Sequence, residues 1–512
     1  MRILFSGGFI GGAGLLCGLV ASEARAAAPD AAPSNPRSNS ATVAFKAAPL
    51  FDAASLAVQT LPNGVRGLVR ETHGSGLVCV QVWVRSGGRY ESDTQSGASR
   101  LLAEVGLRSS QNYPRRVDAS SNISGGPREA LEALGGDVKT LTSRDATFYS
   151  ALVAAQYLPQ ALRALSDATL RPIIADVSVV DARLDVAADQ RRRETDALDA
   201  SQDMAFRLAF AKHPYHKPAG GSSFSVEALS VGAVRLFHQS RYVGKNISVV
   251  VVGDVPNATS QKLIAQFFGA ARTASAPDNA IAGEGGLPDF KTLSRRFATE
   301  NRIVTLAFRA PGIANPIEVV ATDILLSHWK EGSCAHLRAL LLGPEKPDND
   351  KPDGAKSDAP ALGFDADYLT QRDPGLLTVT LVVNPQARGA AVSVVMDEVQ
   401  RVQENGLSDE ELKRAKAALV RQYVEQSDTV SGQAGALGFY DMIADYKFAT
   451  SYLDMIARVS SDDVKRMANK YLSRTAYVQV VAEPQVRPRR EPDDGSTGNP
   501  NTITASIRVH IP

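Results

Sequence analysis

Valines at 78, 80, 82 and 84 alternate strictly with other residues and mark 77–85 as a strand with one strongly apolar face. Just before it, Leu61-Pro62-Asn63-Gly64-Val65 has the composition of a tight turn and predicts a hairpin. Two more strands are predicted on either side of Ser143-Arg144-Asp145. Residues 158–170 carry apolar side chains at helical spacing, and Arg171-Pro172 ends that helix. From 177 to about 212 the chain is charged and helix-forming, with Val180, Leu184 and Ala187 at helical spacing. A further helix is predicted over 225–238 and a very apolar strand over 246–253.

The same order of elements returns later. Strands are predicted over 303–308 and 376–383, a helical region over 316–341, and a helix opened by the capping box of Ser408 and Glu411. The helix, Tyr242, polar turn and Val-rich strand of 234–255 are matched by 464–481 with Tyr471, about 230 residues on. Such self-similarity predicts a duplicated domain. Between the copies, 273–291 is rich in Ala, Pro, Gly and Asp and reads as a linker. The resulting division is an N-terminal domain over 51–275, a linker over 276–296 and a C-terminal domain over 297–483. Residues 344–360 read as a solvated insertion in the second domain, although Asp348-Asn349-Asp350 with Gly354 faintly resembles a calcium loop. Residues 484–512 read as a loose tail.

Composition changes this picture at the ends of the chain. Residues 1–26 have an early Arg2, an apolar Gly-rich run and Ala24-Arg25-Ala26, the pattern of a secretory signal, followed by a flexible leader over 27–50. An exported protein, periplasmic or secreted, is therefore expected. No later apolar run reaches the ~20 residues that span a bilayer, so no membrane span is expected in the mature chain. The formal charge of +1 gives no electrostatic reason to bind nucleic acid. Past the signal, only Cys79 and Cys334 remain, and both read as small buried hydrophobes.

The chemistry centres on Gly97-Ala98-Ser99-Arg100-Leu101-Leu102-Ala103-Glu104-Val105-Gly106-Leu107, on a helix that follows the alternating strand. It resembles the G-x-A-H-x-x-E-H segment of the insulinase/pitrilysin family, the inverted zincin peptidases that include mitochondrial processing peptidase. Four further phrases resemble the family in order and spacing: Ser86 to Glu91 before this helix, Leu134-Gly135-Gly136, Val186-Ala187-Ala188-Asp189-Gln190-Arg191, and His213-Pro214-Tyr215. The resemblance puts Arg100 and Glu104 where the two histidine ligands stand, Ala103 where the glutamate base stands, and Gln190 where the distant carboxylate ligand stands. Two histidines four apart, a base between them and a third ligand are what zinc-assisted hydrolysis needs. A guanidinium has no lone pair to offer a metal, and alanine cannot take a proton. Arg100 is instead expected to supply positive charge there, with Glu104 or Asp189 as its partner.

The resemblance implies an α+β fold: two homologous domains, each a mainly antiparallel sheet with helices on one face, together forming half of a clam-shell chamber. It implies no catalytic residue and no metal ligand in this chain, with zinc supplied by a partner carrying H-x-x-E-H. Active relatives hold the peptide backbone with a second-domain Arg and Tyr. Leu342 and Phe364 occupy those places here, and Arg338, one turn earlier, is the candidate substrate-binding residue. Among the seven histidines, His213 and His216 are the one close pair, in a phrase read as structural. There is no G-x-S-x-G elbow and no phosphate-binding G-x-x-x-x-G-K-[ST]. The expected function is a non-catalytic subunit that helps a zinc-bearing homologue enclose peptides. An unpaired peptide-binding or scaffold protein of the same fold is the alternative, and an active peptidase with an unorthodox site comes last.

Overall fold

The computed structural model describes residues 55–117, 123–277, 281, 283–331, 335–343, 359–384 and 389–485. The expected signal, the leader, residues 344–358 of the insertion, the tail beyond 485 and Cys334 lie outside the described residues.

The first half runs β1 (Leu56–Thr60), β2 (Arg66–Glu71), β3 (Leu77–Val84), α1 (Ala98–Arg108), β4 (Arg116–Val117), β5 (Ile123–Ser124), α2 (Pro127–Glu132), β6 (Asp137–Thr142), β7 (Thr147–Ala154) and α3 (Leu158–Leu170). It continues with α4 (Asp176–Thr195), α5 (Ala197–Ala209), α6 (Ser223–Ala228), α7 (Val231–Arg241), β8 (Ile247–Gly253) and α8 (Asn257–Phe268). The second half is β9 (Lys291–Phe297), β10 (Arg302–Ala310), α9 (Pro316–Lys330), α10 (His336–Leu342), β11 (Gly363–Tyr368) and β12 (Gly375–Val383). It closes with α11 (Ala390–Asn405), α12 (Asp409–Gln426), α13 (Val430–Ile443), α14 (Lys447–Arg458), α15 (Ser461–Tyr471) and β13 (Val478–Pro484).

The sheets have the orders β1-β2-β8-β3-β7-β6 and β11-β12-β10-β13-β9. In the first, β8 runs parallel to β2 and antiparallel to β3; in the second, β13 runs parallel to β9 and antiparallel to β10. The remaining pairings are antiparallel. Reading outward from β8 and β13, the two sheets are one motif built twice, with β1 added to the first. In each copy the strand β3 or β10 leads into a helix, α1 or α9, that packs against a later helix, α4 or α12.

Alternation along β3 explains how the sheet is covered. Val78, Val80, Val82 and Val84 join Leu101, Leu102 and Val105 of α1 in one core. Cys79 and Trp83, on the opposite face, join a different core with Leu437 and Phe439 of α13. A helix from the second half thus covers the back of the first sheet. The exchange is reciprocal: Ala205 and Ala209 of α5 pack with Ala307, Val478 and Val480 of the second sheet. Each half lends one helix to the other, so the two sheets are locked together through apolar contact.

Local signals act where expected in several places. Gly64, at φ +93°, closes the β1–β2 hairpin, with the Leu61 N–H donating to the Val65 carbonyl at 2.8 Å. The Ser408–Glu411 capping box opens α12. Other helices are broken where side chains cap a new start. The predicted 177–212 helix is two, because the Asp196 carboxylate accepts from the Leu198 and Asp199 N–H groups, both at 2.9 Å. The 225–238 helix is also two, restarted by Ser230, whose hydroxyl accepts from Ala233 N–H at 3.1 Å. The 316–341 region divides into α9 and α10. On α4 the buried stripe is Val179, Ala182, Val186 and Ala187, whereas Val180 and Leu184 face outward. The linker read over 276–296 ends earlier than expected, since β9 begins at Lys291. Glu284 within it accepts from the N–H groups of Ala211, Lys212 and His213 at 2.6–3.1 Å. Among the described residues no helix is long and apolar enough to cross a membrane.

Candidate functional site

The site is organised by the N-terminus of α1. Glu91 reaches forward so that its two carboxylate oxygens accept from Gly97 N–H and Ser99 N–H, each at 2.8 Å. This satisfies donors that the first turn would otherwise leave unpaired. Burial pushes the Glu91 carboxyl pKa up against the pull of those hydrogen bonds. Gly97 enters the helix at φ +94°, and a β-carbon there would lie 2.7 Å from Val226 Cγ2. The Ser86–Glu91 loop therefore has a direct task, which is to fix the start of the helix that carries Arg100.

Arg100 points from α1 toward α4. Its Nη2 lies 3.4 Å from Glu104 Oε1 and 3.9 Å from Asp189 Oδ2, and its Nη1 donates to the Thr140 carbonyl at 3.3 Å. The other oxygen of Glu104 receives Arg128 Nη2 from α2 at 3.2 Å. Asp189 is shared with Arg192. Three helices and strand β6 thus surround a guanidinium at the position that the family resemblance gives to the metal.

Gln190 is buried beside it, and its amide Nε2 donates to the Gly220 carbonyl at 3.1 Å and the Ala219 carbonyl at 3.4 Å. A β-carbon on Gly220 would lie 2.7 Å from Gln190 Nε2 and 3.2 Å from Arg100 Cβ. The backbone of this loop is pressed directly onto both residues. Ala103 is fully buried against the core and presents only a methyl group.

These residues do not make a zinc site. Arg100 supplies donors where a lone pair is needed, Ala103 offers no base, and Gln190 turns its N–H toward a carbonyl. Glu104 is already engaged by two arginines. No hydrolytic step follows from this set of side chains.

The His213-Pro214-Tyr215 phrase anchors the covering loop. His213 Nδ1 accepts from Tyr215 N–H at 3.2 Å, which leaves Nε2 to donate to Asp373 Oδ2 at 3.1 Å. Tyr215 donates to both oxygens of Asp145, at 2.7 and 2.9 Å, and accepts from Asp373 N–H at 3.1 Å. Arg89 Nε meets Asp373 Oδ2 at 2.6 Å. Both nitrogens of His213 are used within the protein. Lys217, further along the loop, donates to the Glu91 carbonyl at 2.6 Å and so ties the loop to the residue that caps α1.

Arg100, Ala103, Glu104 and Gln190 are therefore brought together, with Asp189. Arg338 is not among them: it lies on α10, which packs on α9, β11 and α11 of the second half. Leu342 and Phe364 both pack against the second-half core. Arg128, Thr140 and Gly220 complete the first-half site. Arg128 lies in none of the phrases that resemble the family, because an arginine on another helix carries no local signature.

Residues 68–221 match the family described as Insulinase (Peptidase family M16), and residues 228–342 and 357–419 match Peptidase M16 inactive domain. An uncharacterized zinc protease of Mycobacterium tuberculosis is 25% identical over 440 residues, covering 85% of this chain and 95% of its own. The mitochondrial-processing peptidase subunit beta of Saccharomyces cerevisiae is 20% identical over 436 residues, covering 82% and 89%. In fold, the chain is similar to a protease from Helicobacter pylori, with a TM-score of 0.73 at 20% identity, covering 84% of this chain and 99% of that one. A peptidase M16 inactive domain from Pseudomonas fluorescens gives 0.68 at 17% identity, covering 85% and 100%.

Proposed function

The chain belongs to the insulinase (M16) peptidase family, and from that premise we propose that it is the non-catalytic subunit of an exported two-chain peptidase. A homologue carrying H-x-x-E-H supplies the zinc, and this chain supplies the other half of the chamber that encloses the peptide. The observation that carries the reading is Arg100, a guanidinium set between Glu104 and Asp189 where the catalytic relatives need an imidazole. The framework around it is tightly built, with the Glu91 cap on α1 and the close approach of Gly220. A chamber wall needs that framework and no hydrolytic group, which accounts for the combination. The apolar stretch and Ala24-Arg25-Ala26 at the start of the chain support export to the periplasm or beyond.

The test is co-expression with an H-x-x-E-H homologue from the same genome. The two chains are expected to co-purify and to cleave peptides together. This chain alone should not cleave, and replacing the partner's glutamate base should abolish cleavage by the pair. Cleavage by this chain alone, blocked by a chelator, would overturn the reading. A chain that remains solitary yet binds peptides would favour the scaffold alternative.

A further inference from the structure

Away from the Arg100 site, four helices bring a second set of ionisable side chains to one point. His328 comes from the last turn of α9, His336 from the first residue of α10, Glu398 and Arg401 from α11, and Glu411 from the first turn of α12. One ligand atom from each of His328, His336 and Glu411 lies within 4.8 Å of the others. His328 Nε2 is 3.8 Å from both Glu398 Oε1 and Glu411 Oε1, and His336 Nε2 is 3.4 Å from Glu398 Oε2.

Arg401 holds this group together. Its Nη2 lies 3.1 Å from His328 Nε2 and 3.0 Å from Glu398 Oε1, its Nε 2.7 Å from Glu398 Oε2, and its Nη1 3.5 Å from Glu411 Oε1. A guanidinium only donates, so His328 Nε2 must be the acceptor and the ring proton must sit on Nδ1. That Nδ1 is buried and has no hydrogen-bond partner among the described residues. The imidazole, 2% exposed, has no partner for that N–H among the described residues and aims its lone pair into the cluster. Burial keeps it neutral, pushing its pKa down to about 4. Burial alone would raise the Glu398 pKa, but hydrogen bonds from His336 and Arg401 outweigh it and hold the carboxyl down to about 2. Two carboxylates therefore face a single guanidinium.

We propose that this cluster is a second-domain site for a zinc-class divalent ion, bound by His328, His336 and Glu411 with Glu398 behind them, in exchange with the Arg401 guanidinium. Two imidazole nitrogens and carboxylate oxygens are a donor set suited to zinc. Tetrahedral zinc holds its donors about 3.3 Å apart, so the His328–Glu411 separation closes by only about half an ångström. Arg401 can leave, because its side chain is 30% exposed and rooted on one helix. The site is not the repeat image of the Arg100 site. Arg100 stands near the start of α1, whereas His328 stands near the end of the equivalent α9, at the other end of the helix pair. It also revises the expectation of a chain without any cofactor, and it is independent of whether the chain pairs with a peptidase.

The full-length protein, stripped with a chelator and dialysed against micromolar zinc chloride, is expected to retain about one zinc per chain and to gain thermal stability from it. His336→Ala and Glu411→Gln should each weaken binding by at least about tenfold, and Arg401→Gln should tighten it. His336 is 38% exposed at its side chain, so its loss leaves the core filled; circular dichroism in chelator verifies the fold. His216→Ala should leave zinc binding unchanged. Failure of the wild type to bind zinc in this range overturns the proposal, as does equal binding by His336→Ala. Binding by Arg401→Gln alone also overturns it, since the guanidinium would then be a permanent occupant.

Discussion

Arg100 Nη2 sits 3.4 Å from Glu104 Oε1, one helical turn further along α1. In the catalytic relatives those two positions would grip a metal together; here they grip each other. Asp189 lies on the far side at 3.9 Å, so removing the guanidinium leaves two half-buried carboxylates facing across the gap. Each carboxylate keeps one other arginine, Arg128 or Arg192, so Arg100→Ala is expected to destabilise the protein by about 1–2 kcal/mol, through lost attraction and the repulsion of the two carboxylates. Urea denaturation measures it. A change within a few tenths of a kcal/mol would mean that Arg100 behaves as an ordinary surface ion pair.

If four side chains alone separate this site from a zinc site, restoring them should restore the metal. The combined variant Arg100→His, Ala103→Glu, Glu104→His, Gln190→Glu is expected to add one equivalent of zinc per chain above the wild type. Arg100→His by itself should add none, because three protein ligands are the minimum for tight binding. Metal analysis after dialysis decides it. Absence of added zinc from the folded fourfold variant would show that Gly220 and its loop also keep the metal out.

Much of this was legible in the sequence, for identifiable reasons. The Val78–Val84 alternation, the Asn63-Gly64 turn and the Ser408–Glu411 box are local signals, and local structure follows them. The repeat at an offset of about 230 residues was visible as a pattern, and it appears in the structure as β8 and β13 occupying equivalent places. What escaped was non-local. Trp83 gave no sign that its partner would be a helix some 350 residues on, and nothing in 177–212 marked α5 for the other sheet. The cluster around Arg401 was equally hidden, because His328 and His336 are eight positions apart and meet only through a break between two helices.

The lending of α13 to the first sheet depends on Gly438. A β-carbon there would lie 2.0 Å from Trp83 Nε1, and the indole is held by Gln81 at 2.9 Å and stacked on Phe148 with centroids 4.6 Å apart. With no space to yield, Gly438→Ala should cost about 1–3 kcal/mol despite its better helix propensity. Gly232→Ala on α7 is the contrast: its nearest neighbour is 3.8 Å away, so it should be neutral or stabilise by up to about 1 kcal/mol. Thermal unfolding of the two variants compares them, and equal effects would remove Gly438 from the account of how the halves dock.

The junction between the halves should also be sensitive to acid through Asp373. Burial would raise its pKa, but hydrogen bonds from His213 and Arg89 prevail and hold it down to about 2. An unfolded aspartate titrates near about 3.9. A depressed folded pKa means that the folded state binds the proton less readily, so the stabilisation is fully present above the unfolded value. It should fade as pH falls from about 4 through about 2. Glu398 is held to about 2 as well, so the raw acid-unfolding curve contains both groups. Comparison with Asp373→Asn separates them: the variant should be less stable than the wild type at neutral pH, and the gap should narrow across the same window. Because Asp373 belongs to the second half while Arg89 and His213 belong to the first, the loss should appear first as loosening between the halves. Hydrogen exchange at the start of β12 and in the 213–221 loop reads that directly. A stability gap that stays constant from neutral pH to pH 2 would show that Asp373 is not the group linking acid to the junction.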